Sequence, residues 1–251
     1  MLKVNERIDN LGCKDLKIIQ NSDWFCFGMD AVLLANYSDI KKNSTVVDLG
    51  TGTGIIPILL CGKNDVKKIY GIEIQQEVAE MARRSVELNN LSEKIEILNI
   101  DLKQAEETLG NNLFDVVTSN PPYMPLDSGL KNKADNKTIS RHEQKCSLRD
   151  VIETANRLLK HNGRFFLVHR PNRIVDILVL LREYKLEPKT IRFVHPKVGK
   201  SPNLVLIKSI KASKPDLKFE DPLYIYNDDG SYTDELLDIY GIENGGNKIA
   251  K

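Results

Sequence analysis

The chain has 251 residues, 41% of them hydrophobic and 28% charged, enough for one large domain with an appendage or two small ones. No stretch approaches the ~18 apolar residues of a membrane span, and Met1 to Asn10 carries no apolar signal-peptide run. The formal net charge of +1 hides an asymmetry: residues 125–218 hold 21 Lys and Arg against 9 Asp and Glu, while 1–124 and 219–251 are net acidic.

From the N-terminus, residues 23–30 (DWFCFGMD) are aromatic and turn-prone, and an apolar helix is expected from Ala31 to Tyr37. Hydrophobic runs then alternate with helical patterns, which predicts a parallel α/β sheet. Strands are expected at Thr45–Leu49, Lys68–Ile74, Ile95–Ile100, Phe114–Ser119 and Arg164–His169. Helices are expected at Gly54–Cys61, Gln76–Asn89, Ser147–Lys160 and Asn172–Tyr184. After Pro188 the pattern changes: Ile191–Val194 and Leu204–Ile210 follow one another without a helix, so an antiparallel hairpin ends the sheet. That is not the plan of a dinucleotide dehydrogenase. The tail predicts a small hairpin around Asp229-Gly230 and a short last helix capped by Thr233.

Cys13, Cys26, Cys61 and Cys146 are scattered, without CxxC spacing or histidines at ligand distance. Neither a disulfide framework nor a metal site is expected, and free thiols point to a reducing cytoplasm. A net of +12 over 94 residues favours a polyanionic partner, nucleic acid first, although single lysines are usually solvated helix faces.

The first strand runs into DLGTGTGIIPILL. Gly50, Gly52 and Gly54 let the backbone turn sharply and approach a ligand, and Pro57 suits the first turn of the next helix. The dinucleotide spacing G-x-G-x-x-G is not met, and no Gly-Lys-Ser/Thr follows as in a phosphate-binding P-loop. Glu73 closes the second strand, where a carboxylate accepts from both ribose hydroxyls. Asp101 follows the third strand and could accept from an adenine amino group, with Leu102 or Ile74 covering the ring. Asp48 could hold an ammonium group, and the helix N-terminus near Gly54 a carboxylate. Ribose, adenine, ammonium and carboxylate together describe S-adenosylmethionine. Each acid alone reads as a solvated strand end; their order after successive strands carries the joint reading.

The fourth strand stops at Ser119-Asn120-Pro121-Pro122-Tyr123, because prolines cannot donate to a sheet ladder. With the glycine loop, Glu73 and Asp101 in the expected order, residues 45–210 resemble the class I S-adenosylmethionine-dependent methyltransferases. Asn120 to Tyr123 resemble the motif of those that methylate a planar conjugated nitrogen. The resemblance implies an α/β, Rossmann-like, mostly parallel seven-stranded sheet with a C-terminal antiparallel hairpin. In that chemistry Asn120 and the Pro121 carbonyl accept the hydrogens of the target amino group. Tyr123 stacks on the base, a role that needs its ring and not its hydroxyl.

The family most resembled is the bacterial tRNA(Val) adenine-N6 methyltransferases. Residues 25–34 look like its cofactor-covering segment, which implies cofactor contacts for Phe27 and Asp30. Residues 140–143 (SRHE) also look familial, which implies a substrate role for Arg141 and His142, with Lys131 and Lys133 on the basic RNA face. Three regions are expected: a cofactor-covering appendage (1–40), the methyltransferase domain (41–212) and an acidic tail (213–251). Two other readings stay open, a protein-glutamine N5 methyltransferase and a non-catalytic RNA-binding protein on the same fold. Nothing in the sequence decides between monomer and dimer.

Overall fold

The computed structural model describes residues 2–23, 28–123 and 146–242. A hairpin that the sequence pattern does not announce comes first, β1 (Glu6–Asn10) and β2 (Lys17–Asn21), and forms its own two-stranded antiparallel sheet. Helix α1 (Met29–Tyr37) leads to β3 (Thr45–Leu49), α2 (Ile55–Lys63), β4 (Lys68–Ile72), α3 (Gln76–Leu88) and β5 (Ile95–Leu98). A 3₁₀ turn at Leu102–Gln104 and the short helix α4 (Ala105–Leu109) precede β6 (Phe114–Ser119).

The second half comprises α5 (Leu148–Leu158), β7 (Leu159–His169), α6 (Ile174–Glu183), β8 (Leu186–His195) and β9 (Leu204–Lys211). Two-residue strands β10 (Lys218–Phe219) and β11 (Leu223–Tyr224) and the helix α7 (Asp234–Tyr240) end the described chain.

Among the described residues the main sheet has nine strands, in the order β10-β8-β9-β7-β6-β3-β4-β5, with β11 also on β8. Seven of them are the expected strands; β10 and β11 are additions that pair with β8 and cover its outer edge. Strands β5, β4, β3, β6 and β7 run parallel, and β9 enters antiparallel between β7 and β8.

Parallel strands covered on both faces need apolar side chains on both. In β7, Phe166 and Val168 join the core under α1 and α2, whereas Phe165 and Leu167 point to the core under α5 and α6. All four are fully buried.

Local signals set several boundaries. Ser147 and Asp150 form a reciprocal capping box at the start of α5, the Ser147 Oγ accepting from the Asp150 N–H and Asp150 from the Ser147 N–H. Thr233 caps α7 by accepting from the Leu236 N–H at 3.3 Å. Helix α5 stops two residues short of the expected Lys160, because Leu159 is already in β7 opposite Phe114. The expected helix from Asn172 begins as a 3₁₀ turn with Pro171 at its first position. At the far end the bridge between Tyr226 and Tyr232 closes the small turn at Asp229-Gly230.

Candidate active site

The site lies where β3 and β6 end side by side. In register, Asp48 pairs with Thr118 and Leu49 with Ser119, so the chain leaves one strand at Gly50 and its neighbour at Asn120. Asp48 is fully buried. Its Oδ1 accepts from the Thr118 hydroxyl at 2.7 Å, while Oδ2 has no hydrogen-bond partner. Burial pushes its pKa up to about 6. Hydrogen bonding from Thr118 and Thr51 opposes that rise, although the Thr51 hydroxyl makes no hydrogen bond of good geometry.

The glycine loop is pinned from β4. The N–H groups of Gly50 and Thr51 both donate to the Ile72 carbonyl, and the Gly52 N–H donates to Glu73 Oε2 at 3.1 Å. Gly50 and Gly52 have φ of +72° and +55°, and a Cβ on either would meet nothing within 4 Å. Their open sides face unfilled space, as a loop that receives a ligand requires.

Glu73 is buried and holds two backbone groups, the Gly52 N–H through Oε2 and the Gln75 N–H at 2.8 Å through Oε1. Burial raises its pKa, and these two bonds counteract it. Asp101 spends Oδ1 capping the 3₁₀ turn, accepting from the Lys103 N–H at 3.0 Å. Of the two residues offered as a ring cover, Leu102 is turned into the core and only Ile74, 37% exposed, remains at the surface.

Beyond Ser119 stand Asn120, Pro121 and Tyr123. The Tyr123 hydroxyl lies 2.7 Å from Asp30 Oδ2 and 2.8 Å from Asn120 Oδ1. Burial and the adjacent Asp30 carboxylate hold the phenol's pKa well above its usual value. The Arg170 guanidinium sits 4.7 Å from the ring centroid, and the His169 ring packs edge-on with its centroid 5.1 Å away. His169 is buried with its pKa depressed to about 4, chiefly by desolvation, so the ring is neutral at physiological pH. Its Nδ1 accepts from the Arg170 N–H, which leaves the ring proton on Nε2.

Asp48, the three glycines, Glu73, Asp101, Asn120, Pro121, Tyr123 and Asp30 thus gather at the carboxyl ends of neighbouring strands. Phe27, Lys131, Lys133, Arg141 and His142 lie outside the described residues. Sequence reasoning missed Thr118, His169 and Arg170. Thr118 was detectable, since aligning β3 and β6 at their ends pairs it with Asp48. His169-Arg170 ends the strand next to the Asn-Pro-Pro-Tyr turn, which was a signal of the same kind.

The described residues suit S-adenosylmethionine. Asp48 keeps an unpaired, buried carboxylate oxygen for a cationic group, and the glycine turns leave room for a ligand. Among the described residues no cluster of His, Cys, Asp or Glu could hold a metal ion. No described helix is long and apolar enough to cross a membrane.

This sheet order and glycine loop, with acids at successive strand ends, define a class I S-adenosylmethionine-dependent methyltransferase. Residues 27–184 match the methyltransferase small domain family, and the chain belongs to that family. It is 30% identical over 218 residues to a tRNA1(Val) (adenine(37)-N6)-methyltransferase of Porphyromonas gingivalis, covering 84% of this chain and 85% of the relative. A Haemophilus influenzae protein of the same name is 26% identical, over 90% of this chain and 94% of its own. Among solved structures, a predicted O-methyltransferase from Agrobacterium tumefaciens superposes with a TM-score of 0.69 at 26% identity. That match covers 86% of this chain and 98% of the other.

Proposed function

We propose that this protein transfers the methyl group of S-adenosylmethionine to the exocyclic N6 of an adenosine in tRNA. The position is the one beside the anticodon that its relatives' names give as adenine 37 of tRNA1(Val). One observation carries the reading: the Leu49–Ser119 register pair sets the glycine loop and Asn120-Pro121-Pro122-Tyr123 side by side.

The bound cofactor supplies an electrophilic methyl group on a sulfonium sulfur. An exocyclic amino nitrogen is a poor nucleophile, because its lone pair is delocalised into the ring. Asn120 Oδ1 and the Pro121 carbonyl accept its two hydrogens and favour a pyramidal nitrogen with its lone pair toward the methyl group. The two prolines stiffen the backbone that presents that carbonyl. The Tyr123 ring, with Arg170 over one face, offers its other face to the base. Alignment supplies most of the rate enhancement, and no strong base is needed, since the methylated nitrogen becomes acidic and sheds its proton afterwards.

Asp48, Gly50, Gly52, Gly54, Glu73, Asp101, Phe27 and Asp30 make up the proposed cofactor side, and Asn120 borders the cofactor as well as the target amino group. Arg141, His142, Lys131 and Lys133 belong to the proposed substrate side, and the protein works in the cytoplasm, where tRNA is processed. The same proposal assigns residues 1–40 to covering the cofactor, 41–212 to catalysis and 213–251 to an acidic tail. Mass spectrometry of nucleosides from total tRNA tests it, comparing cells with and without the protein. N6-methyladenosine should disappear from one tRNA when the protein is absent. Unchanged tRNA would favour glutamine methylation or RNA binding without catalysis.

A further inference from the structure

The phenol of Tyr123 has one proton and two oxygen neighbours, Asp30 Oδ2 at 2.7 Å and Asn120 Oδ1 at 2.8 Å. Only one of them can receive it. The carboxylate is the stronger acceptor, because a hydrogen bond to a charged group is roughly twice as strong as one between neutral groups. Burial and the neighbouring negative charge keep the phenol protonated, so the proton is always there to give. With it on Asp30, the Asn120 carbonyl oxygen would face a phenol lone pair at 2.8 Å, which is repulsive. The two ends of an amide have the same shape, and their hydrogen-bond partners decide which end points where. Turning the amide over places Nδ2–H against the phenol oxygen and releases Oδ1 from Tyr123.

We infer that Asp30 is a positioning residue: by accepting the hydrogen bond of the Tyr123 hydroxyl it leaves the phenol oxygen to accept from the Asn120 NH₂. The Asn120 carbonyl oxygen is thereby left free for the target amino group. The inference rests on the proposed role of Asn120 in methyl transfer. It also gives the Tyr123 hydroxyl a purpose that base stacking does not require.

Two further observations fit. Asp30 lies in the first turn of α1, where the helix dipole favours a carboxylate, and its Oδ1 accepts from the Ala31 N–H at 3.1 Å. A Cβ on Gly28 would stand 2.6 Å from Asp30 Oδ1, so the glycine makes room for the carboxylate in this pose. A contact 93 residues apart in sequence therefore joins α1 to the turn after β6.

The test is steady-state methylation of tRNA by wild type, Asp30→Ala, Asp30→Asn, Tyr123→Phe and the Asp30→Ala/Tyr123→Phe double variant. Thermal melts accompany each to establish folding. Asp30→Ala and Tyr123→Phe should each lower kcat by about 10-fold, as loss of a group that orients an active-site ligand does. The KM for tRNA should stay within about 2-fold in each, and the double variant's kcat should be no lower than that of the worse single one. Asp30→Asn keeps an acceptor oxygen and should recover most of the rate. Gly28→Ala should reproduce the kcat loss.

Multiplicative losses in the double variant would overturn the inference. So would an Asp30→Ala variant whose only defect is a raised KM for S-adenosylmethionine, since Asp30 would then be a plain cofactor contact. A wild type that makes no N6-methyladenosine contradicts the proposed function instead, which keeps the two failures apart.

Discussion

Asp48 and Thr118 face each other on neighbouring parallel strands, and the hydroxyl of the second satisfies one carboxylate oxygen of the first at 2.7 Å. The other oxygen is buried with no partner. A buried carboxylate in this state is a cost to the fold that a cationic ligand would offset.

Asp48→Asn should therefore stabilise the protein while weakening S-adenosylmethionine. The Thr118 hydroxyl can still donate to the amide oxygen, and a neutral unpaired NH₂ costs less than an unpaired charge. Because the folded pKa is raised to about 6, the folded state holds its proton more tightly than the unfolded chain. Stability is accordingly lost as pH rises from the ordinary carboxylate range through about 6, and the full penalty applies above it. Melts at pH 7.5 should show the variant higher by a few degrees, at about 2–4 °C per kcal/mol for a chain of this size, with the gap closing below about pH 4. Calorimetry should show wild-type cofactor affinity rising through pH 6 and the variant's staying flat. A variant that melts lower at pH 7.5 would remove this account of Asp48.

Glu73→Ala should cost roughly 10-fold or more in S-adenosylmethionine affinity, the ~1–3 kcal/mol of unpaired buried groups. The loss would have two sources: the proposed contact to the cofactor ribose, and the Gly52 N–H that Glu73 Oε2 holds in place. Asp101→Ala should weaken binding too and also fray the 3₁₀ turn it caps. Unchanged calorimetric affinity in both variants would take these acids out of the cofactor site.

The basic half of the chain divides by position. Arg149, Arg157, Lys160, Arg164, Arg173, Arg182 and Arg192 all pair with acids in the structure. Lys197 and Lys200 sit in the β8–β9 connection, at the same end of the sheet as Tyr123, and Arg170 Nη1 donates to the Asn203 carbonyl in that connection. Lys185 and Lys214 lie at the opposite end. Reversing Lys197 and Lys200 to Glu should raise the KM for tRNA and make its binding less sensitive to salt. The slope should flatten by about 0.7–0.9 for each phosphate no longer neutralised. S-adenosylmethionine affinity should not change. The same reversal at Lys185 and Lys214 should do little; equal effects at both ends would mean general electrostatics and not a face.

Tyr123→Ala should damage both KM and kcat, because the ring is the proposed platform for the base and its hydroxyl touches Asn120. Base–aromatic stacking is worth ~1–3 kcal/mol. Arg170→Ala should lose less, since it covers the ring only from one side. Kinetics in which Tyr123→Ala alters neither constant would rule out stacking at this residue.

The parallel sheet was legible because its strands are short apolar runs ended by Gly, Asp, Glu or Asn-Pro, and each feature acts locally. The N-terminal hairpin was not. Arg7 and Asp9 give β1 no apolar stripe, and the hairpin it forms with β2 is tied to α3, far along the chain. There Arg84 grips Glu6 through two nitrogens at 2.6 and 2.7 Å, and the Ser85 Oγ accepts from the Ile19 N–H. At the site, the residue types and order of Asp48, Glu73 and Asn120 could be read from the chain. The Tyr123 hydroxyl could not be given a role, because its partner Asp30 reaches it only through the fold. Leu102 and Ile74 looked interchangeable as a ring cover until packing buried one of them.

The most direct test of the central claim compares wild type and Asn120→Ala on unmodified tRNA with S-adenosylmethionine, quantifying N6-methyladenosine. Asn120 stands at the end of β6, half-buried, so its truncation should leave the fold and the cofactor affinity intact. Wild type should form N6-methyladenosine, and the variant's kcat should fall by ~10²–10³, as when one preorganised polar group is deleted from an active site. A variant that methylates tRNA at the wild-type rate would contradict the account.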